Sequence, residues 1–477
     1  MTDITMDIDT QALRQRILTL AIQGKLTDQR KEDGTAQDLY NQIQEEKQKL
    51  IKEKKIKKTK SLPKIEEDEI PFDIPENWMW VRLGDVSYNK DGQRIPLKQA
   101  DRDKQKNIYD YYGASGVIDQ VEDYLFDKPL LLISEDGANL LARTKPIAFI
   151  ARGKYWVNNH AHVLDGIDIY FLEYLRLYVD ATNLSSFITG TAQPKLTQAK
   201  LNRLVIALPP LAEQKRIADK VVTLFTQLDA IDKAYEEYRG LQQTMKSRLL
   251  EQAIQGKLTD QRKEDGNAQD LYKEIQEEKQ KLIKEKKIKK EKPLPEIAAD
   301  EIPFEIPENW MWVRISDLFD VARGGSPRPI KSFLTDDPNG VNWIKIGDTE
   351  IGGKYISHVR EKIKPEGVKK SRFVRSGDLL LTNSMSYGRP YILKTDGCIH
   401  DGWLMLSPIL RSLNKEFFYY LSSSQYMKQE FTKAASGAVV KNLNKDKVKA
   451  ISIPLPPLAE QKRIVEKLDK LLPLCEA

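Results

Sequence analysis

The sequence predicts an α+β protein in which two globular α+β domains are separated by two long antiparallel helices, a coiled-coil spacer, with cyclic pseudo-two-fold symmetry. Three observations carry that expectation. Ala21–Arg82 recurs as Ala253–Arg314 with nine substitutions over sixty-two positions. A second frame, LPPLAEQKRI, stands at Leu208–Ile217 and returns at Leu455–Ile464. Between the frames lie two segments that are almost unrelated to each other; the frames shift by 232 and then 247 positions, so the second segment is fifteen residues longer. A chain that repeats its frames and varies their contents is suited to presenting two different readers on a common mount.

The first element to justify is the long helix. Residues 212–256 hold no proline, and apolar residues step by four and three through Ile217, Val221, Leu224, Leu228, Ile231, Tyr235 and Tyr238, then drift to Leu241, Met245 and Leu249. That is a heptad seam, and unbroken it implies a helix of roughly 65 Å at 1.5 Å per residue. Gly240 is a candidate bend. Such a seam needs a partner helix, and the chain ends supply one. Ile464, Leu468, Leu471 and Cys475 occupy the steps of Ile217, Val221, Leu224 and Leu228, while Leu13, Ile17 and Ala21 match Met245, Leu249 and Ala253. Only about ten positions, equivalent to the stretch around 232–240, have no counterpart. The expected body is therefore a two-fold repeat cut open within one helix. A string of two independent beads would leave the terminal seams unburied.

After each copy of AIQGKLTDQRKEDG a second helix is expected, over 36–58 and 268–290, densely basic toward its end. It reads as a solvated helix whose lysines favour the C-terminal dipole, or as a basic rail for DNA phosphates. Prolines at 63, 71 and 75, and at 293, 295, 303 and 307, then enforce extended chain. Each variable segment opens with WMWVR. LLLISEDGAN, PIAFIARG and WVNNHAHVL read as strands and loops in the first; LLLTNSMSYG, PYILKTDG and CIHDGWLML follow in the same order in the second. Helical stretches over 170–188 and 415–435 precede the closing strands LVIALP and AISIPLP.

At 477 residues the chain exceeds a single core, and size predicts roughly three domains: two variable ones and a shared scaffold. The expected boundaries are 1–76, an N-terminal conserved region; 77–211, the first variable domain; 212–308, a central conserved region; 309–458, the second variable domain; and 459–477, a C-terminal helix. No apolar run approaches the roughly 18 to 20 residues of a membrane span, and MTDITMDIDT lacks a signal pattern, so a cytoplasmic address is expected. Cys398 and Cys475 have no ligand spacing and read as packing residues. Net charge is a modest +6, so its distribution matters more than its sum.

Enzymatic signatures are missing. There is no GxxxxGK[ST] and no GxGxxG opening a helix, and the only Pro-Pro pairs lie in LPPL, without the Asn/Asp-Pro-Pro-aromatic motif of amino-methyltransferases. His160, His162, His358 and His400 lack metal-ligand spacing. No catalytic residue, metal or cofactor is expected in this chain.

What is present suits base recognition, which needs paired hydrogen-bonding side chains and phosphate donors on loops held by a rigid domain. The first variable domain offers Tyr111, Tyr112, Ser134, Glu135, Asp136, Asn139, Arg143, Asn158, Asn159, His160, Thr191, Gln193 and Lys195. The second offers Arg323, Ser326, Arg328, Lys345, Asp348, Asn383, Ser384, Ser386, Tyr387, Arg389, His400, Asp401, Lys441 and Asn442. Singly each could be an ordinary turn residue. Together, the amides, hydroxyls and arginines at matching points favour recognition.

These residues resemble the specificity (S) subunits of type I restriction-modification enzymes over nearly the whole chain. LPPLAEQKRI, AIQGKLT after a long helix, and IPFDIPENWMWVRLGDV or IPFEIPENWMWVRISDLF look like that family's conserved regions. ISEDGAN with WVNNHAHVL, and NSMSYGRPYI with CIHDGWL, look like two of its target-recognition domain types. The resemblance implies a non-catalytic subunit whose two domains each read half of a split, asymmetric site in double-stranded DNA, with the helices as a ruler. It also implies two docked modification subunits that methylate adenine with S-adenosylmethionine. Restriction subunits using ATP and Mg can then join, and no membrane partner is implied.

Overall fold

The computed structural model describes residues 8–58, 61–104, 108–190, 192–350, 352–384, 387–436 and 442–475. The chain divides into two compact units, residues 6–235 and 236–477, rather than the three domains that size predicts. The scaffold is not a separate body because each part of it shares a core with its own variable domain. In the first unit Leu18, Ala21, Ala36, Leu39, Ile43, Trp78, Ile217 and Val221 belong to one buried cluster with Leu131, Leu164, Phe171 and Tyr178. In the second, Leu250, Ala253, Ala268, Leu271, Ile275, Trp310, Ile464 and Leu468 join Leu379, Leu406, Phe417 and Phe431 in the same way.

The first unit opens with a helix, Thr10–Ile22, capped by the Asp9 carboxylate on the Ala12 amide. A basic helix follows, Ala36–Lys52, entered through a capping box of Thr35 and Asp38. The strands are β1 (Met79–Arg82), β2 (Tyr88–Asn89), β3 (Tyr109–Gly113), β4 (Gly116–Val121), β5 (Leu130–Ser134), β6 (Ala148–Ala151), β7 (Tyr155–Val157), β8 (Ala161–Asp165), β9 (Ile188–Thr189), β10 (Lys195–Leu196) and β11 (Val205–Leu208). They form a four-stranded sheet β2-β8-β5-β6, a three-stranded sheet β4-β3-β7, and the pairs β1-β11 and β9-β10. The continuous run LLLI is explained by burial on both faces of β5. Leu131 and Ile133 face the cluster under the helix Ile169–Ala181, while Leu130 and Leu132 face a second cluster with Tyr155, Val157 and Val163.

The second unit repeats the plan with more strands: β12 (Met311–Arg314), β13 (Phe319–Arg323), β14 (Leu334–Thr335), β15 (Val341–Ile344), β16 (Tyr355–Ile356), β17 (Glu361–Ile363), β18 (Arg372–Val374), β19 (Leu379–Thr382), β20 (Pro390–Leu393), β21 (Gly397–Ile399), β22 (Trp403–Pro408), β23 (Ala435–Ser436), β24 (Asn442–Leu443) and β25 (Ser452–Leu455). Two five-stranded sheets result, β13-β22-β19-β20-β16 and β14-β17-β15-β21-β18, with β12-β25 and β23-β24 as pairs. The fifteen extra residues are absorbed here, in added strands and loops, while the pairs formed by the frames are unchanged in register.

The repeated sequence is explained by a clasp built twice. The first unit's clasp centres on buried Glu213, which accepts the Trp78 indole N–H at 2.8 Å, the Thr27 hydroxyl at 3.0 Å and the Gln29 amide at 2.6 Å. One turn on, Arg216 holds Asp33 at 2.7 and 2.6 Å. In the second unit Glu460 accepts from Trp310, Thr259 and Gln261 at 2.7, 3.0 and 2.6 Å, and Arg463 holds Asp265. Gly24, at φ +68°, lets the loop pass so close to Pro75 that a Cβ would stand 2.5 Å from the ring; this is why the frame reads IQGK. Arg82 closes the base of the domain, bonding Glu69 and the carbonyls of Pro63, Lys64 and Arg203. Its counterpart Arg314 bonds Glu301 and the carbonyl of Ala450.

Four sequence expectations are corrected. The basic helices end at Lys52 and Lys284, not at 58 and 290. Lys54 and Lys286 take left-handed φ of 55° and 57° and close Schellman-type turns, with Ile56 folding back onto the core beside Leu50. The helix over 170–188 stops at Ala181, before a short 3-10 turn and β9. The stretch 415–435 is two helices, Lys415–Ser423 and Gln425–Ala434, because the Ser424 side chain caps the second one.

The long helix runs Leu211–Ile254 without interruption at Gly240, but its seam is only partly apolar. Ile217, Val221 and Leu228 are buried, as are Ile464 and Leu468. Ile17, Leu224 and Leu471 are half-buried, and Leu13 and Ile231 are exposed at 42% and 40%. Tyr235, Tyr238, Leu241 and Met245 are exposed as well. Around Leu13 and Ile231 polar groups take over the contact: Thr10 bonds Asp232 at 2.7 Å, and Arg14 bonds Asp229 and Asp232 at 2.8 and 2.9 Å. With Gln29 beside Glu213, these contacts set the N-terminal helix antiparallel to the first half of the long helix. At the other end Pro473 stops the α-helix, and a 3-10 turn puts Leu472 and Cys475 inward in place of Leu471.

Candidate nucleic-acid interface

In each unit three segments converge on one edge. In the first, β5 ends there, β8 begins there and the chain leaving β2 arrives there: Ser134 lies opposite Ala161, and Arg94, beyond β2, bonds the Ala161 carbonyl. The hairpin β9-β10 docks on the same edge through an Asp136–Lys195 bridge. In the second, β13 and β19 end and β22 begins at the equivalent edge, and the hairpin β23-β24 docks through a Ser384–Asn442 bridge. The loops rich in amides, hydroxyls and arginines leave from these ends. Rigid strands thus fix where variable loops start, the arrangement that places recognition groups accurately.

The first edge is organised by an ionic network that is shielded from solvent except at Lys195. Glu135 lies 2.7 Å from Arg94 and 3.2 Å from Lys195, and Asp91 lies 2.7 Å from His162 Nδ1. Arg94 also donates to the Ala161 carbonyl, His162 Nε2 faces the Leu196 carbonyl at 2.8 Å, and the Leu196 amide donates to the Glu135 carbonyl. Four separate segments are thereby locked together. Burial alone would push both carboxyls up. For Asp91 the His162 bond and charge overcome it, and for Glu135 the Arg94 bond does so, holding both below the usual carboxylate range. Asp91, Glu135 and His162 offer ligand atoms within 4.8 Å of one another. Arg94 and Lys195 already supply balancing positive charge and the ring nitrogens face oxygen partners, so the group fits a structural role rather than a metal centre.

The structure sorts the first domain's candidates. Tyr111, Ser134 and Asn158 are buried. The Tyr111 hydroxyl accepts the Leu97 amide, Ser134 donates to the Ala114 carbonyl, and Asn158 Oδ1 accepts the His160 amide. Tyr112 stacks on Phe149, with centroids 5.8 Å apart. Asn139 closes its own turn on Thr144 and Lys145. Arg143, at φ +51°, is spent on the terminal carbonyls of a helix, bonding Thr182 at 2.9 Å. Asn159, His160, Gln193 and Lys195 are exposed, with half-buried Asp136 held against His160 at 2.8 Å. Thr191 lies outside the described residues.

In the second domain Asp401 is the hub. Its carboxylate accepts the Ser326 hydroxyl at 2.7 Å, which holds its pKa low, and Arg328 stands 3.9 Å away, 84% exposed. Its carbonyl accepts from Arg323 and Asn383 at 3.2 and 3.3 Å. Asn383 is fully buried, so it organises the edge instead of touching a base. Burial pushes the His400 imidazole down, and its Nδ1 accepts the Gly402 amide at 2.7 Å. Lys345 is paired with Glu361, and Tyr387 packs onto the core. Arg323, Arg328 and Arg389 are exposed, and Ser384 and Asn442 are half-buried in their bridge. Ser386 and Lys441 lie outside the described residues.

Two organising residues went unpredicted, Asp91 and Arg94. They occupy NKDGQR, a polar stretch at the end of β2, as Arg323 and Ser326 occupy ARGGS at the end of β13; that positional match was the available signal. The proposed basic rail is partly spent on structure. Lys47 reaches the Gly84 carbonyl at 2.6 Å and Lys279 the Ser316 carbonyl at 2.7 Å, anchoring each basic helix to its domain.

A family model described as the type I restriction modification DNA specificity domain matches residues 75–237 and 307–476. The chain is 26% identical to the type I restriction enzyme EcoEI specificity subunit of Escherichia coli, over 97% of this chain and 89% of that one. It is 27% identical to the EcoAI specificity subunit of the same organism, over 65% of this chain and 63% of that one. Among solved structures, a chain from a type I R-M system described for its complex assembly and conformational transition is similar in fold. Its TM-score is 0.57 at 18% identity, covering 85% of this chain and 93% of that one.

Proposed function

This chain belongs to the DNA specificity family of type I restriction-modification systems, and from that premise we propose how its parts divide the work. It is the DNA sequence-recognition and assembly subunit, and it is not itself catalytic. The domains 77–211 and 309–458 each read one half of a bipartite site, and because their loops differ the two halves differ. The helices of the conserved regions set the spacer between the halves. The repeated frames offer two near-identical docking faces, which suits two copies of one modification subunit. That subunit brings S-adenosylmethionine, and a restriction subunit with ATP and Mg joins through the same assembly.

One observation supports this reading most strongly: loops of unrelated sequence leave equivalent strand ends in both domains and are pinned by equivalent hairpins. Asn159, His160, Gln193 and Lys195 are the groups best placed to meet DNA in the first domain. Arg323, Arg328 and Arg389 are their counterparts in the second. The test is to assemble the chain with its modification subunit and map methylated sites on random-sequence DNA. Replacing residues 77–211 by a relative's equivalent segment should change one half-site and leave the other intact. Methyl transfer by the chain alone, or an unchanged site after replacement, would overturn the reading.

A further inference from the structure

Strand β4 carries two apolar side chains near its start, just after the β3-β4 turn, with no place in the core. Val117 and Ile118 are 50% and 52% exposed. In a regular strand these neighbours would point to opposite faces. Here a bulge intervenes: Tyr111 pairs with Asp119 and Tyr112 with Val117, leaving Ile118 as the extra residue. Bulges of this kind re-aim side chains beside functional sites. Gly113 makes room for the result, since a Cβ there would stand 2.8 Å from Ile118 Cδ1 and 3.3 Å from Asn158 Nδ2.

The turn belongs to the reading edge. β3 runs parallel to β7, with Tyr112 opposite Val157, so it finishes where Asn158, Asn159 and His160 begin. Ser134, the last residue of β5, donates its hydroxyl to the Ala114 carbonyl in the turn. Ile118 therefore sits with Asn158 around Gly113, at the start of the loop that carries Asn159 and His160. In the second domain the corresponding strand β15, also parallel to its neighbour β21, runs instead into Lys345, paired with Glu361. The apolar tip is thus a property of one reader and not of the shared frame.

We infer that Ile118, flanked by Val117, reads the C5-methyl group of a thymine in the half-site of the first domain. A thymine methyl is the apolar feature that a base pair displays in the major groove, and exposed aliphatic side chains beside amide and imidazole groups are the chemistry that detects it. The inference rests on the DNA-reading role proposed above and adds a specificity determinant that hydrogen-bonding logic overlooks.

Uracil in place of thymine removes that methyl and keeps every hydrogen-bonding group. The chain assembled with its modification subunit is titrated with a duplex carrying its mapped methylation site. Each thymine of the first domain's half-site is then replaced singly by uracil. Binding should weaken about fourfold at one position, the effect of losing one buried methyl. With Ile118→Ala that position should become insensitive to uracil, while the second half-site is read as before. Val117→Ser gives an independent variant should Ile118→Ala fold poorly. A half-site without thymine, uracil replacements that are all neutral, or a uracil penalty unchanged in both variants would each overturn the inference. These outcomes leave sequence-selective binding itself intact, whereas failure of the broader reading would abolish it.

Discussion

Glu213 lies fully buried and takes the Trp78 indole N–H on one carboxylate oxygen at 2.8 Å, joining the start of the long helix to the start of the first recognition domain. The other oxygen takes two more donors, from Thr27 and Gln29. The buried Trp78 indole would be stranded without it, and half-buried Thr27 and exposed Gln29 would each lose a partner. Glu213→Ala should therefore lower the stability of the first unit by about 1–3 kcal/mol, since a buried donor left unpaired is costly. Denaturant unfolding of the full chain measures this, and a change within about 0.5 kcal/mol would count against the clasp.

Acid should loosen the base of each domain. The Arg82 hydrogen bonds, and then the Glu66 amide, bring the Glu69 carboxyl down from 4.5 to about 2; Arg314 and the Ala298 amide do the same for Glu301. A carboxyl depressed on folding stabilises fully above its unfolded value and loses that contribution as pH falls through the folded one. The window thus runs from about pH 4.5 down toward 2. Glu69→Gln should flatten stability against pH across that window, as followed by thermal melts. An acid limb of unchanged slope would exclude the pair as its source.

The helix seam makes a graded prediction. Leu468 is fully buried, and Leu468→Ala should cost about 2–5 kcal/mol. Leu13→Ala and Ile231→Ala should fall within about 0.5 kcal/mol, because both side chains are exposed and polar groups hold that stretch. Equal losses at all three would restore the uninterrupted apolar seam that the sequence suggests.

Recognition in the second domain should separate by burial. Arg389→Ala, at an exposed site, should weaken binding to the cognate half-site by about 1–3 kcal/mol and relax selectivity at one base pair if the guanidinium meets a base edge. A loss equal on all sequences would place it on phosphate. Asn383→Ala acts through the edge itself, since its amide holds the Asp401 carbonyl. It should blur several base pairs together, as site selection from random DNA would reveal.

Much of this architecture was legible because repeats are self-announcing. The duplicated frames located the long helix and the equivalent strands, and the runs LLLI and LLLT, read as strands, form β5 and β19. Polar side chains were less legible. Ser134, Asn158 and Asn383 have the composition of recognition residues, yet their partners are carbonyls and amides brought from distant segments by the sheets. No spacing rule distinguishes an amide that will pair internally from one that will meet DNA. The seam misled for a related reason: Leu13 and Ile231 keep the heptad step, but Thr10, Arg14 and Asp232 outcompete them for the contact.

The two clasps are chemically degenerate. Glu213 with Arg216 and Glu460 with Arg463 present the same acceptors and donors to loops that both read KLTDQRKEDG. Nothing in the bonds themselves tells one loop from the other, so the correct match depends on the order in which segments become available. During synthesis residues 25–34 and 213–216 both emerge before 460 exists, which settles the first match early. A full-length chain diluted from denaturant enjoys no such schedule, and exchanged loops within or between chains are the misfolded states its own duplication makes cheapest.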